Sequence, residues 1–210
     1  MNRDLPCISP LRASWRGHKY AASWMWEPPG QTEPLNLSSA RRLEIVLERL
    51  APIARLRSVL FNEPSGGESL PLLQWQEGSN AAFQHKVLAT LGSAGNPIND
   101  AEIWLDLFAW VHVEGQSAPV QGWLERGAWL DMSFETDSPY TALSIDHTLY
   151  RDGNSNGPSN HELHLLNAPL LSSVLAAMEE VEGPITEIDG LPDVTREGFV
   201  AWKNGEPGSR

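Results

Sequence analysis

The chain has 210 residues, a formal net charge of −12, and 41% hydrophobic and 20% charged residues. This length and composition suit one folded domain, and no run approaches the roughly 18 apolar residues of a membrane span. Cys7 is the only cysteine, which excludes an internal disulfide and a zinc site built from several cysteines of one chain. The first residues lack the apolar stretch of a signal peptide, so the sequence predicts a cytoplasmic protein without membrane contact.

The first half of the chain is predicted to be mostly helical. Apolar residues recur at spacings of three and four between Leu43 and Leu50, Ser38 or Ser39 can cap the start, and Pro52 is expected to interrupt the helix. The predicted elements are one or two strands over 11–26, a helix over 37–60 whose second short part covers 53–60, a short strand over 70–76 and a helix over 80–92.

The second half has the alternation of antiparallel strands. Strand-like runs over 102–114, 120–126, 128–137 and 142–150 are separated by turn residues, then come a helix over 168–183, ended by Gly183 and Pro184, and a short strand over 199–204. This order predicts an α+β fold, a single domain over 1–210 with a mostly antiparallel sheet and helices 37–60, 80–92 and 169–182 packed on one face. Residues 1–12 are expected to be disordered and 205–210 to form a flexible tail.

The two halves also differ in charge. Residues 1–99 contain 10 Lys/Arg and 8 Asp/Glu, a net of +2, whereas residues 100–210 contain 5 and 19, a net of −14. An acidic surface repels nucleic acid and attracts basic proteins, so no direct nucleic-acid contact is predicted. The acidic half fits a basic protein partner, although charge that only keeps the protein in solution would have the same composition.

The run WLDMSFETD, residues 129–137, concentrates this charge on one predicted strand. Its alternation places Trp129, Asp131, Ser133, Glu135 and Asp137 on one face, with no Lys or Arg among them. Three carboxylates in line suit a row of basic side chains better than a metal shell, whose oxygens must converge on one ion. We therefore predict a solvent-exposed partner-binding face rather than a metal site, with a merely solvated face as the alternative. Of the nine tryptophans, most are expected in the core, and Trp129 is the exception.

The sequence contains no clear metal-binding motif. DGNSNGPSN (152–160) matches the first half of an EF-hand loop, but Leu163 stands where the bidentate glutamate is needed, which favours a polar turn. His161 and His164 are three residues apart rather than four, and an extended segment would place them on opposite faces. We therefore predict no bound metal and no cofactor.

No nucleophile elbow, phosphate-binding loop or paired catalytic cysteine is present, so the chain is predicted not to be an enzyme. The alternative from a different class is a small metal-dependent hydrolase that uses Asp131, Glu135 and Asp137 with nearby His147. The carboxylates would then hold the metal, but no lysine lies in the predicted strands from 102 to 150.

The run ASWRGHKYAASWMWEPPGQTEPLNLSSARRLEIVLERLAPIARL (13–56) has a Trp-Arg-Gly opening strand followed by a helix rich in arginine and leucine. It resembles bacterial polymorphic-toxin immunity proteins, in particular the group encoded beside toxins with a restriction-endonuclease-like nuclease domain. The resemblance implies a protein that binds and neutralises a cognate toxin of a type VI or related secretion system, without catalytic residues of its own. The toxin-binding residues are then expected at Trp129, Asp131, Glu135 and Asp137. The sequence leaves open whether the chain forms a homodimer.

Overall fold

A mostly antiparallel sheet forms the centre of the computed structural model, which describes residues 5–8, 22–28, 35–63, 70–113, 117–145, 148–150, 161–190 and 193–200. The strands of these residues are β1 (Cys7–Ile8), β2 (Ala22–Trp26), β3 (Ala54–Asn62), β4 (Leu73–Gln74), β5 (Asp100–Val111), β6 (Val120–Ser133), β7 (Tyr140–Ile145), β8 (Ile185–Gly190), β9 (Val194–Thr195) and β10 (Gly198–Phe199). The helices are α1 (Leu35–Leu50), α2 (Asn80–Gly92) and α3 (His161–Glu182), with a 3₁₀ turn at Thr148–Tyr150.

The strand order of the main sheet is β4-β3-β5-β6-β7-β2-β8. The consecutive strands β5, β6 and β7 pair antiparallel, which confirms the predicted meander. The short strand β1 pairs parallel with β6 at Trp123 and Leu124, beside the part of β6 that β7 does not reach. Because β1 lies within residues 1–12, the expectation of disorder there is wrong for Cys7 and Ile8.

The three helices pack on one face of the sheet, and the predicted α+β class is confirmed. Leu43, Val46, Leu47 and Leu50 of α1 are buried, as their spacing predicts, and they share the core with alternate residues of the strands. α2 begins and ends where the sequence predicts. α3 ends at Glu182, directly before Gly183, whose φ of 88° only glycine adopts easily. None of the described helices is long and apolar enough to cross a membrane.

The predicted second part of the first helix, residues 53–60, is wrong, because β3 occupies this segment. Its pairing with β5 contains a bulge between Leu56 and Ser58, and the extra residue shifts the alternation of the strand. Leu56 and Val59 therefore both face the core although they are three residues apart. A spacing of three is also typical of a helix, which explains the wrong prediction. Pro52, which precedes β3, follows the end of α1 instead of kinking a longer helix.

Other boundaries also differ from the predictions. The separate strands predicted over 120–126 and 128–137 are one strand, β6, which ends at Ser133, and the run 142–150 ends as a strand at Ile145. The third helix begins at His161, seven residues before the predicted start at 168. Residues 11–21, 201–204, 205–210 and the loop 152–160, on which further predictions fall, lie outside the described residues.

Candidate functional site

The face of the sheet opposite the helices, called the open face below, gathers the acidic residues of several strands. It is formed by Asp100, Glu102 and Trp104 of β5, Trp129, Asp131 and Ser133 of β6, Tyr140, Ala142 and Ser144 of β7, Ser23 and Met25 of β2, and Glu187 and Asp189 of β8. Five of these thirteen residues are carboxylates and none is Lys or Arg. The site therefore has one sign of charge over its central rows.

Strand register places the acidic residues opposite one another. Glu102 lies directly across from Asp131, and Met25 of the same row lies across from Glu187. Side chains that face each other across an antiparallel pair have Cβ atoms about 4.5–5.5 Å apart. Glu102 and Asp131 thus form a like-charge pair, an arrangement that destabilises a sheet unless a cation lies between the two groups.

Asp131 is a partly buried carboxylate of this face, and its pKa is raised. Burial is the largest cause that raises its pKa, and the negative charges of Asp100 and Glu102 raise it further. The Tyr140 hydroxyl donates a hydrogen bond to Asp131 Oδ2 at 3.1 Å, which opposes these effects. Burial and the neighbouring Asp131 raise the pKa of Tyr140 itself to about 12, so the phenol remains a hydrogen-bond donor at neutral pH.

Trp104 and Trp129 form a stacked pair in the next row. Their ring centroids are 6.2 Å apart with 6° between the planes, because the two residues are direct cross-strand partners. Both side chains are half-buried. The indole Nε1 of Trp129 is buried and has no hydrogen-bond partner among the described residues, as is also the case for Trp26, Trp75 and Trp123.

The predicted line of three carboxylates on one strand is wrong in its geometry. Only Asp131 lies on β6, since the strand ends at Ser133 and Phe134 turns into the core. Glu135 lies in the following loop, where the side chains of Asn99 and Ser138 donate to it. Asp137 is exposed in the same loop. The predicted site residues therefore divide into Trp129 and Asp131 on the open face, and Glu135 and Asp137 at its rim.

No group of three or more potential metal ligands comes together among the described residues. Asp131, Glu135 and Asp137 thus do not form the metal cluster that the hydrolase alternative requires, and His147 lies outside the described part of the chain. His161 and His164 belong to α3 rather than to an extended segment. His161 is exposed, whereas His164 is buried with Nδ1 2.6 Å from the carbonyl oxygen of Tyr150.

A neutralised ion cluster lies beyond the acidic rows, at the other end of β5. The fully buried Asp106 accepts a hydrogen bond from Arg55 Nε at 3.2 Å and pairs with Arg57 at 3.6 Å. Burial raises the pKa of Asp106 against the lowering effect of both arginines. The Arg55 guanidinium lies between Trp75 and Trp123, 4.5 and 4.6 Å from their ring centroids. The charges of this cluster are paired with opposite charges, whereas the hydrogen bonds to Asp100 and Asp131 of the open face come from the neutral side chains of Asn62 and Tyr140.

A cavity of about 490 Å³ borders this cluster, between α1, α2 and the start of β3. Arg55, Trp75 and Trp123 line it together with apolar side chains of α1. Cys7 is next to the cluster, and burial, followed by the charges of Asp106 and Glu125, raises the pKa of its thiol to about 11. The thiol is therefore protonated at neutral pH and is a poor nucleophile.

Sequence reasoning missed Asp100, Glu102, Trp104 and the two carboxylates of β8. The sequence does contain a signal for them, because acidic residues and a tryptophan lie two positions apart both in 100–104 and in 129–131. Antiparallel pairing of these two runs sets acid against acid and tryptophan against tryptophan. Only the register, which the sequence alone does not specify, turns the two runs into one site.

Comparison with known proteins gives no family assignment. No protein-family model matches the chain, and no curated protein or solved structure matches it. The fold and the open face are therefore the basis for a functional proposal.

Proposed function

We propose that this chain is a cytoplasmic immunity protein that binds a cognate antibacterial toxin through the open face and blocks it. The toxin is proposed to be a nuclease delivered by a type VI or related secretion system. The observation that carries the proposal is the acidic open face, where five carboxylates and a stacked tryptophan pair lie together without a Lys or Arg. The sequence resemblance to toxin immunity proteins points in the same direction.

A nuclease provides the surface chemistry that this face lacks. Its substrate cleft is basic because it must hold the phosphates of a nucleic acid. Lys or Arg side chains of such a cleft would come between Glu102 and Asp131 and turn their repulsion into attraction. Complementary charge also accelerates association, which suits a protein that must capture a toxin before the toxin reaches DNA or RNA.

The stacked tryptophans supply the second part of a binding site. Half-buried Trp side chains are common anchors of protein interfaces, and the face of an indole ring attracts guanidinium groups. Trp104 and Trp129 lie one row from Glu102 and Asp131, so an arginine of the partner can contact a ring and a carboxylate together. Such an arrangement favours a partner rich in arginine over one whose charge comes from lysine alone.

The test uses a catalytically inactive form of the toxin candidate encoded by the neighbouring gene. Its association with the wild-type chain is compared with that of a double variant, Glu102→Lys with Asp131→Lys, by surface plasmon resonance at several salt concentrations. We expect the variant to associate at least about tenfold more slowly at low salt and to show a weaker salt dependence. Co-expression of the active toxin should be tolerated with the wild-type chain and toxic with the variant.

Two further variants make the result specific. Glu44→Lys with Glu48→Lys changes the net charge equally on the exposed side of α1 and should leave association nearly unchanged. Trp129→Ala should weaken binding by about 2 kcal/mol or more if the tryptophan is an anchor. Equal slowing by both charge-reversed pairs would mean that only net charge matters, and a product of the neighbouring gene that never binds would refute the proposal.

A further inference from the structure

Strand β8 is an edge of the main sheet with an outer side that no described strand covers. Five of its six residues are exposed, and only Ile185 is buried. Ile188 is 38% exposed, one of the few large apolar side chains of the described residues that face solvent. The opposite edge, β4, has only two residues, so it offers much less backbone to a partner. β8 is therefore the edge at which another strand can be added.

The side chains of β8 alternate in chemistry as well as in direction. Glu187 and Asp189 belong to the open face, opposite Met25 and Ser23 of β2, and extend its acidic rows to the edge of the sheet. Ile188 points to the other side and pairs in register with Trp24. An added strand would consequently meet an acid, an apolar residue and an acid in succession.

This alternation selects against a second copy of the chain. In an antiparallel pair of two β8 strands centred on Ile188, Glu187 of each copy would lie opposite Asp189 of the other. Two directly opposed like-charge pairs destabilise such a sheet. A strand with Lys or Arg at alternate positions forms two favourable pairs in the same place, so charge complementarity favours a basic partner over self-association.

We infer that β8 binds an extended segment of the toxin by strand addition, and that this segment carries a cation–apolar–cation sequence. The cations lie opposite Glu187 and Asp189 and the apolar residue lies beside Ile188, while backbone hydrogen bonds supply affinity along the edge. The inference rests on the proposed function, because the segment is assigned to the toxin. It adds a second contact next to the open face, since the added strand continues that surface.

The test uses synthetic peptides as probes and the full-length, ¹⁵N-labelled chain as the receptor. The peptide acetyl-Lys-Val-Lys-Val-Lys-Val-amide has the required alternation. Acetyl-Lys-Lys-Lys-Val-Val-Val-amide has the same composition without it, and an N-methylated form of the first peptide cannot complete the strand hydrogen bonds. We expect only the first peptide to shift the amide signals of 186–190 and to slow their hydrogen exchange at least about tenfold.

Variants locate the contact. Glu187→Lys with Asp189→Lys should abolish binding of the lysine peptide and create binding of acetyl-Glu-Val-Glu-Val-Glu-Val-amide, while Glu44→Lys with Glu48→Lys should change neither. Equal binding of all three lysine peptides would overturn the inference, since attraction would then not depend on strand addition. The inference would also be overturned if all amides of 186–190 were protected from hydrogen exchange in the free protein. A dimer of the wild-type chain that the β8 variants convert to monomers would overturn it as well.

The outcome is separable from that of the proposed function. Toxin binding that needs Glu102 and Asp131 but is unaffected by the β8 variants would refute the role of β8 and leave the proposed function intact. Selective binding of the alternating peptide at β8, together with a neighbouring gene product that never binds, would refute the proposed function but support the edge as a strand-binding site.

Discussion

The pair of opposed carboxylates on the open face leads to the main prediction, that Glu102→Lys stabilises the folded chain. Glu102 lies directly opposite Asp131, whose pKa is raised partly by the charge of Glu102. A favourable or unfavourable cross-strand charge pair contributes roughly 0.2–1 kcal/mol. Because the substitution replaces repulsion by attraction, it should raise the free energy of unfolding by about 1 kcal/mol, or the melting temperature by about 2–4 °C for a domain of this size.

Urea unfolding monitored by tryptophan fluorescence measures this change. The stabilisation should be largest at low ionic strength and should nearly disappear in 1 M salt, where the Debye length is about 3 Å. Glu102→Gln, which removes the repulsion without adding attraction, should give roughly half of the effect. A Glu102→Lys protein that is less stable than the wild type at low salt, or equally stabilised at all salt concentrations, would refute the electrostatic reasoning.

Three further predictions concern other parts of the molecule. Burial raises the pKa of Asp131 above 3.8, so the wild-type chain loses stability as the pH rises from about 4 through the pKa of the folded state. Asp131→Asn cannot ionise and should gain stability relative to the wild type between pH 4 and 7 in urea unfolding. A difference between the two proteins that does not change with pH would contradict this. Glu182→Ala should lower the free energy of unfolding in guanidinium by about 3–5 kcal/mol, because the side chain of Arg42, only 10% exposed, would be left without its carboxylate partner. A loss below about 1 kcal/mol would contradict this pairing. Gly127→Ala should lower the free energy of unfolding by about 1–3 kcal/mol, since the new Cβ would lie 2.6 Å from Cβ of Leu107. Gly95→Ala, whose Cβ meets open space, should be neutral in the same urea unfolding experiment, and equal losses for both variants would contradict the steric reason.

Regular periodicity was the part of the fold that the sequence predicted well. The buried face of α1, the whole of α2 and the meander of β5 to β7 follow from apolar spacings of three and four or of two. Gly183 marks the end of α3 for a local reason, its positive φ. Each of these features depends on residues close together in the chain, so no knowledge of tertiary contacts was needed.

The errors arose where tertiary structure interrupts a local pattern. The bulge in β3 gave Leu56 and Val59 a helical spacing within a strand. Beyond Ser133 the alternation of the sequence continues, and Phe134 is buried as the alternation predicts, but the strand has ended, so Glu135 belongs to a loop. For the candidate site, the sequence identified Trp129 and Asp131, but only pairing between strands brings their partners from β5 beside them.

The contrast between two kinds of charged group favours a binding surface over a face that is merely solvated. The buried carboxylates Glu182 and Asp106 are each paired with an arginine. On the open face, Glu102 opposes Asp131, and none of the thirteen residues named for this face is Lys or Arg. Charge that serves only solubility needs full exposure, and it gains nothing from being half-buried beside a like charge. Basic side chains of a partner would relieve this repulsion. The features that cost stability in the free chain are thus those that one kind of partner would satisfy.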